Sequence, residues 1–205
     1  RDAAKASMDA GKTAYTANYG LIELRREISK YLSTRFEVEY DPKDEILVTI
    51  GGSEAIDIAL RALIEPGDEV LVPDPAYVSY APLAALEHAV VKSLKTKAEN
   101  AFKLMPEELK AAITEKTKVL VLAYPNNPTG ATMNKAEFEA LAEVLKGTDI
   151  IVLTDEIYAE LVYGAEKFTS FAAIKDMRER TILISGFSKA FAMTGWRLGF
   201  ACGPT

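Results

Sequence analysis

The chain has 205 residues, of which 49% are hydrophobic and 26% charged, as is typical of a soluble globular protein. Its 24 basic and 30 acidic side chains give a net charge of −6 without a long run of either sign. A chain of this charge repels nucleic acid and anionic membrane surfaces on average, so we do not expect either as a partner. Cys202 is the only cysteine, and no apolar run approaches the roughly 20 residues of a membrane span, which excludes an internal disulfide and a transmembrane helix. We therefore expect one large domain, residues 1–205, in a reducing, cytoplasmic setting.

The first 12 residues predict a helix and not a leader sequence. They lack the basic, then apolar, then small-residue order of a signal peptide. Because the helical pattern is already present at Arg1, we expect the chain to begin inside a domain.

Strand-like and helix-like segments alternate along the rest of the chain. Short apolar runs predict seven strands, at residues 46–50, 70–72, 90–94, 119–123, 150–153, 181–185 and 198–202. Helical spacing of apolar residues predicts three helices, containing Leu21, Leu24, Ile28 and Leu32, then Ile56, Ala59, Leu60 and Leu63, then Phe138, Leu141, Ala142 and Leu145. Asn134 and Glu137 resemble a capping box, and Pro106 with two following glutamates suits the first turn of another helix. Strands without alternation are covered on both faces, so we expect an α/β fold in three layers, α/β/α, around one mainly parallel central sheet.

Open α/β sheets bind ligands at the carboxyl ends of their strands, which directs attention to the residues that follow each strand. The strand at 46–50 is followed by Gly51, Gly52, Ser53 and Glu54, a turn that opens directly into a helix. Free N–H groups and the helix dipole at such a turn attract an anion such as phosphate. An ordinary turn with Ser53 as the helix N-cap explains the same residues.

Two later loops carry groups suited to a flat ligand. Tyr77 is expected at the start of a helix, where its ring could stack on a cofactor or simply belong to the core. Residues 124–130 read Tyr-Pro-Asn-Asn-Pro-Thr-Gly, and the two prolines rigidify a loop that leaves amide side chains such as Asn127 available for hydrogen bonds.

Asp155 closely follows the strand at 150–153. Tyr158 would share its face if a helix starts there. Burial of Asp155 is costly without a cationic partner, while a helix-capping role is an equally good explanation. Glu156, beside it, is expected to be solvated or structural.

The most informative stretch is residues 186–199, GFSKAFAMTGWRLG. Lys189 supplies an amine that can form an imine, and Arg197, eight positions on, supplies a fork-shaped anion clamp, although a solvated surface lysine is the general alternative. At every constrained position this stretch resembles the pyridoxal-phosphate attachment signature of class I and II aminotransferases. Similar blocks occur in the family's order: residues 15–20, Leu24-Arg25, Gly-Gly-Ser-Glu-Ala, Asn-Asn-Pro-Thr-Gly and Asp-Glu-Ile-Tyr. The resemblance spans nearly the whole chain.

The resemblance implies the large domain of fold type I, in the aspartate aminotransferase superfamily, with pyridoxal 5'-phosphate (PLP) as cofactor. It implies that Lys189 holds the cofactor aldehyde as an imine and then shuttles the substrate's α-proton. Asp155 would pair with the pyridine nitrogen and keep it protonated. Asn127 and Tyr158 would hydrogen-bond the phenolic oxygen, and Tyr77 would stack on the ring.

The same resemblance implies a phosphate cup and a shared site. The residues of this cup would be Gly52, Ser53, Glu54, Ser188 and Arg197. The carboxylate of Glu54 itself would point away from the phosphate. Gly186 stands where many relatives carry serine or threonine, so one hydroxyl contact is expected to be missing. Tyr15 resembles the tyrosine that reaches the phosphate of the neighbouring subunit, which implies a homodimer.

Chains of this family are considerably longer, so we expect the N-terminal segment and the C-terminal small domain to be absent here. The leading function is amino-group transfer between an amino acid and a 2-oxo acid. The alternatives are a PLP-dependent C–S β-lyase of the same fold and a non-catalytic PLP-binding module. His88, the only histidine, is expected to be structural, Cys202 a buried inert thiol, and no metal site is predicted.

Overall fold

The computed structural model describes residues 1–164 and 167–205, which form one seven-stranded sheet with helices on both faces. The strands are β1 (Ile46–Thr49), β2 (Glu69–Asp74), β3 (Val90–Lys95), β4 (Thr117–Leu122), β5 (Ile151–Asp155), β6 (Thr181–Gly186) and β7 (Gly199–Cys202). The helices are α1 (Asp2–Asp9), α2 (Ile22–Phe36), α3 (Gly51–Leu63), α4 (Tyr80–Leu86), α5 (Pro106–Ala112) and α6 (Lys135–Leu145). None of these helices has the length and apolar character that crossing a bilayer requires.

The sheet confirms the seven predicted strands and its mainly parallel character. Its strand order is β1-β7-β6-β5-β4-β2-β3. Strands β3, β2, β4, β5 and β6 run parallel to one another, and β7 runs antiparallel between β6 and β1. Because β1 therefore runs in the direction of β6, the carboxyl ends of six strands meet at one edge.

Alternate side chains of the central strands face two separate hydrophobic layers. Val119 and Val121 belong to a cluster with α3 and α4, while Leu120 and Leu122 belong to one with α5 and α6. Helix α2 packs through Ile28, Leu32 and Phe36 on the part of the sheet formed by β1, β6 and β7. The expected three-layer α/β/α architecture is confirmed.

Most of the predicted helix features are present, and the start of α2 differs from the prediction. Asn134 accepts a hydrogen bond from the Glu137 amide at 3.0 Å, and the Glu137 carboxylate accepts one from the Asn134 amide at 2.8 Å, which confirms the capping box. Pro106 is the first residue of α5, as predicted. Leu21 was expected on the buried face, but it lies just before α2 and is 50% exposed.

Glu156 is buried, so the expectation that its side chain is solvated is wrong. The alternative, a structural role, agrees with its hydrogen bonds. Its Oε1 accepts hydrogen bonds from the Ser170 hydroxyl at 2.9 Å, the Phe171 amide at 3.1 Å and the Thr154 hydroxyl at 3.2 Å. These bonds tie the end of β5 to the short 3₁₀ turn Phe171–Ala173. Burial raises the pKa of Glu156 to about 8, so the side chain is a neutral acid at pH 7.

We expect Glu156→Gln to flatten the dependence of stability on pH. The folded state binds the Glu156 proton up to about pH 8, whereas an unfolded glutamate releases it near 4.5, so the free energy of unfolding falls as pH rises through this window. Denaturant unfolding at both ends of the window measures the effect. The wild-type loss should exceed the loss in Glu156→Gln by more than about 1 kcal/mol, since one pKa unit corresponds to about 1.4 kcal/mol.

Glu139→Gln is the matched control, because Glu139 is an exposed glutamate on α6. It should keep the wild-type dependence on pH. Equal slopes in the wild type and Glu156→Gln would contradict a buried neutral acid at position 156.

Candidate active site

A pocket opens at the sheet edge where the carboxyl ends of the strands meet. Side chains from the connections after β1, β2, β4, β5 and β6 line it. The structure brings together most of the residues that the sequence singled out: Gly52, Ser53, Tyr77, Asn127, Asp155, Tyr158, Ser188, Lys189 and Arg197. Glu54 and Tyr15 do not belong to the lining.

The turn after β1 presents the N-terminus of α3 to this pocket. Helix α3 begins at Gly51, with Ile50 as its N-cap, so Ser53 is not the N-cap that the alternative explanation required. The first N–H groups of a helix lack intrahelical partners, and the helix dipole adds positive potential there. The Glu54 carboxylate accepts a hydrogen bond from the Ile50 amide and is thereby turned back to its own backbone. This end of the pocket can hold an anion on Gly52 and Ser53.

Close backbone contacts fix this turn against the start of β7. A Cβ atom built on Gly199 would lie 2.5 Å from the Gly51 carbonyl carbon, and one built on Gly51 would collide with the Arg197 guanidinium. Arg197 donates a hydrogen bond to the Thr194 carbonyl at 3.0 Å, which holds the guanidinium beside the turn. A Cβ on Gly186 would lie 2.9 Å from the Gly199 Cα, which is a physical reason for glycine at this position in this chain.

Asp155 is a buried carboxylate at the end of β5, exposed by only 7%. Its Oδ2 accepts a hydrogen bond from the Tyr80 hydroxyl at 2.8 Å, and its Oδ1 accepts one from the Ile157 amide at 3.1 Å. Across residues 1–164 and 167–205, no lysine or arginine forms an ion pair with Asp155. Burial raises the pKa of Asp155, and the two hydrogen bonds act in the opposite direction. A cation in the pocket would stabilise this charge.

Lys189 and Tyr158 line the same pocket as Asp155 and lie close to each other. The Lys189 Nζ lies 5.5 Å from the centroid of the Tyr158 ring, and the lysine side chain is exposed. Tyr158 reaches this position from a turn, so the helix considered for this segment does not form. In the described ranges, Lys189, Tyr158 and Asn127 make no side-chain hydrogen bond, which leaves an amine, a phenol and an amide available to a ligand.

The loop after β4 is ordered by Asn126. This residue accepts hydrogen bonds from the amide and hydroxyl of Thr129, at 3.2 and 2.8 Å, and so orders the loop that carries Asn127.

Tyr77 was expected at the start of a helix, but α4 begins only at Tyr80, because residues 78 and 79 form a turn. The hydroxyls of Ser79 and Ser53 lower the pKa of Tyr77. Tyr77 therefore connects the wall of the pocket with its anion end.

Several lining residues were missed by the sequence reasoning. The most important is Tyr80, which contacts Asp155, and the others are Ile56, Ala123, Pro125, Ile157 and Thr194. Tyr80 carried one usable signal, since it follows Tyr77 by three positions in a segment already under consideration. Tyr15 stands apart from the pocket with its side chain fully exposed. In the described part of the chain, no group of three potential metal ligands is gathered in one place.

The chain is similar to known proteins along its whole length. The family model described as "Aminotransferase class I and II" matches residues 1–205. YugH of Bacillus subtilis (strain 168), a protein with only a provisional aminotransferase name, is 52% identical over all of this chain and 53% of its own length. An aspartate aminotransferase of Pyrococcus abyssi is 43% identical, again over all of this chain and 53% of its own length. The crystal structure of an aromatic aminotransferase from Pyrococcus horikoshii OT3 superimposes with a TM-score of 0.97 at 43% identity, over 99% of this chain and 54% of that one. The chain thus spans about half the length of these relatives, and it belongs to the class I and II aminotransferase family.

Proposed function

We propose that the protein is a PLP-dependent aminotransferase that moves an amino group between an amino acid and a 2-oxo acid, and that residues 1–205 form its PLP-binding large domain. The observation that carries this proposal is the buried Asp155 carboxylate, which faces an open pocket and has only neutral hydrogen-bond donors. A buried carboxylate of this kind is costly unless a cation meets it. The protonated ring nitrogen of PLP is such a cation.

The pocket fits PLP at both ends. Gly52, Ser53 and Ser188 would bind the phosphate together with the Arg197 guanidinium, which lies beside the helix N-terminus. Asp155, which lines the same pocket, would hold the ring nitrogen. PLP, when bound, supplies an aldehyde that condenses with amines and a ring that withdraws electrons from the substrate's α-carbon.

The other lining side chains have distinct tasks in this proposal. Lys189 would be the residue that holds the cofactor covalently, and its free amine would remove and return the proton at the substrate's α-carbon. Asn127 and Tyr158 would donate hydrogen bonds to the phenolic oxygen of the cofactor, since both line the pocket and have free side-chain donors in the described part of the chain. Tyr77 and Ile157 line the same pocket and would pack against the ring and exclude water from it.

Transamination is favoured over the two alternatives. The relatives described above carry the names of aminotransferases, including one for aspartate and one for aromatic amino acids, which favours an amino acid and a 2-oxo acid as substrates. A C–S β-lyase would instead release ammonia and pyruvate from a sulfur-containing amino acid. A non-catalytic PLP-binding module would bind the cofactor without exchanging the substrate's α-hydrogen.

The proposal includes a homodimer whose second subunit completes each site. Tyr15 has a fully exposed ring and lies outside the pocket of its own chain. The segment that carries it is anchored close by, because the Val48 amide donates to the Tyr19 carbonyl at 2.9 Å and the Arg25 side chain donates to the Gly20 carbonyl at 3.2 Å. A tyrosine held outward in this way is suited to reach the phosphate in a neighbouring subunit.

The first test is covalent attachment of PLP. Added PLP should give a visible absorbance band, and borohydride should fix one cofactor mass on the peptide that contains Lys189. In Lys189→Ala the band and the mass should both be lost, because the amine that forms the bond is gone.

Lys175→Ala is the matched control for this experiment. Lys175 is also exposed, but it precedes β6 and so lies at the opposite end of the strand from Lys189. The control should retain full labelling. Labelling that persists in Lys189→Ala, or that spreads over several lysines, would remove the basis of the proposal.

The second test separates cofactor binding from proton abstraction. Asp155→Asn should retain the borohydride-fixed adduct at Lys189 but exchange the substrate's α-hydrogen at least about 100-fold more slowly, because its neutral amide cannot hold the ring nitrogen protonated. Proton NMR in deuterated water measures this exchange.

Asp149→Asn provides the control, since Asp149 is an exposed aspartate that precedes β5 and lies at the opposite end of that strand from Asp155. It should exchange the hydrogen at the wild-type rate. Wild-type exchange in Asp155→Asn would contradict the proposed role of the carboxylate.

A further inference from the structure

Tyr80 is a buried phenol that the reaction described above does not yet use. It is the first residue of α4 and is exposed by only 3%. Its ring packs against Tyr77 edge to face, with ring centroids 5.5 Å apart and planes at 78°. It also belongs to the hydrophobic cluster that includes Val121 and Leu153. The direction of its hydroxyl is thus fixed by packing.

The Tyr80 hydroxyl is one of only two hydrogen-bond donors to Asp155 within the described ranges. It reaches Oδ2 at 2.8 Å, and the Ile157 amide reaches Oδ1 at 3.1 Å. A carboxylate has about four acceptor positions, so two bonds leave capacity for a third donor from the pocket. Tyr80 and Ile157 together define how the carboxylate is turned.

The proton of the Tyr80–Asp155 bond belongs to the phenol. Burial raises the pKa of Tyr80 well above its ordinary value, and the charge of Asp155 raises it further. Burial has the largest effect on the pKa of Asp155 and raises it, which favours the neutral acid. The hydrogen bond from Tyr80 has the largest opposing effect and lowers this pKa. Without that bond, the carboxyl group would more readily take up a proton of its own.

We propose that Tyr80 is a positioning residue that keeps Asp155 ionised and aimed into the pocket, and thereby holds the ring nitrogen of bound PLP in its protonated form. Only the part of this inference that concerns the ring nitrogen of PLP rests on the proposed function. The contact between Tyr80 and Asp155 exists without any cofactor, so its effect on the carboxylate can be measured in the cofactor-free protein.

Tyr80→Phe tests the inference, because it removes the hydroxyl and keeps the ring. In the cofactor-free protein, carboxyl ¹³C NMR should show the pKa of Asp155 rising by about one to two units, the size expected for loss of a hydrogen bond to a charged group. With ¹⁵N-labelled PLP bound, the pyridine nitrogen should lose its proton at a lower pH than in the wild type.

Tyr40→Phe is the matched control. Tyr40 is also exposed by only 3%, and its hydroxyl has no hydrogen-bond partner within the described ranges. This variant should leave both titrations at their wild-type positions. It therefore separates loss of the hydrogen bond from general loss of a buried hydroxyl.

The possible failures are distinguishable. An unchanged carboxyl pKa in Tyr80→Phe would overturn the inference, whatever the cofactor does. Failure of the wild-type protein to bind PLP would overturn the proposed function, and with it the role of Tyr80 toward the ring nitrogen. If Tyr80→Phe does not fold, ring ¹³C NMR of the wild-type protein decides the question, since the Tyr80 resonance should follow the titration of Asp155, and independence of the two would overturn the inference.

Discussion

The burial of the Asp155 carboxylate at the end of β5 is the constraint on which the pocket depends. The carboxylate is only 7% exposed, and its hydrogen-bond donors in the described part of the chain are one phenol and one amide, both neutral. These donors reduce the cost of burial, and an opposite charge in the pocket would reduce it further. A ligand that places a positive charge beside Asp155 would therefore be stabilised in this pocket. The amine of Lys189 and the anion end at α3 restrict which cationic ligands fit.

The parallel sheet explains how residues so distant in sequence reach one place. Ser53, Tyr77, Asn127 and Lys189 each follow a different strand, and Asp155 is the last residue of a fifth. The carboxyl ends of these strands share one edge of the sheet. Each connection therefore contributes between two and four residues to the pocket lining, while the strands and helices provide the rigid support. The chemistry is distributed over short loops whose positions depend on the hydrophobic layers on both faces.

The sequence was sufficient for features that depend on local pattern. Apolar runs located all seven strands, and Asn134 with Glu137 located the start of α6, because both signals act between near neighbours. The Tyr80–Asp155 hydrogen bond joins residues 75 positions apart, so no local pattern contains it. Glu156 was misjudged for a related reason: the segment around Ser170 that covers it lies 14 positions further along the chain. The antiparallel direction of β7 was likewise not predicted, since strand composition does not specify direction.

The contact between Gly51 and Gly199 ties the anion end of the pocket to the sheet through backbone atoms alone. Gly199 has no room for a side chain against the backbone of Gly51 and Gly52, and Gly51 has a positive φ of 77°, which other residues adopt only with strain. Substitution at either position would therefore alter the shape of this turn. Adaptation of the protein to a ligand with a different anionic group would have to proceed through replaceable side chains such as Ser53 and Arg197. Sequence change at this end of the pocket is thereby confined to functional groups, while the underlying backbone remains constant.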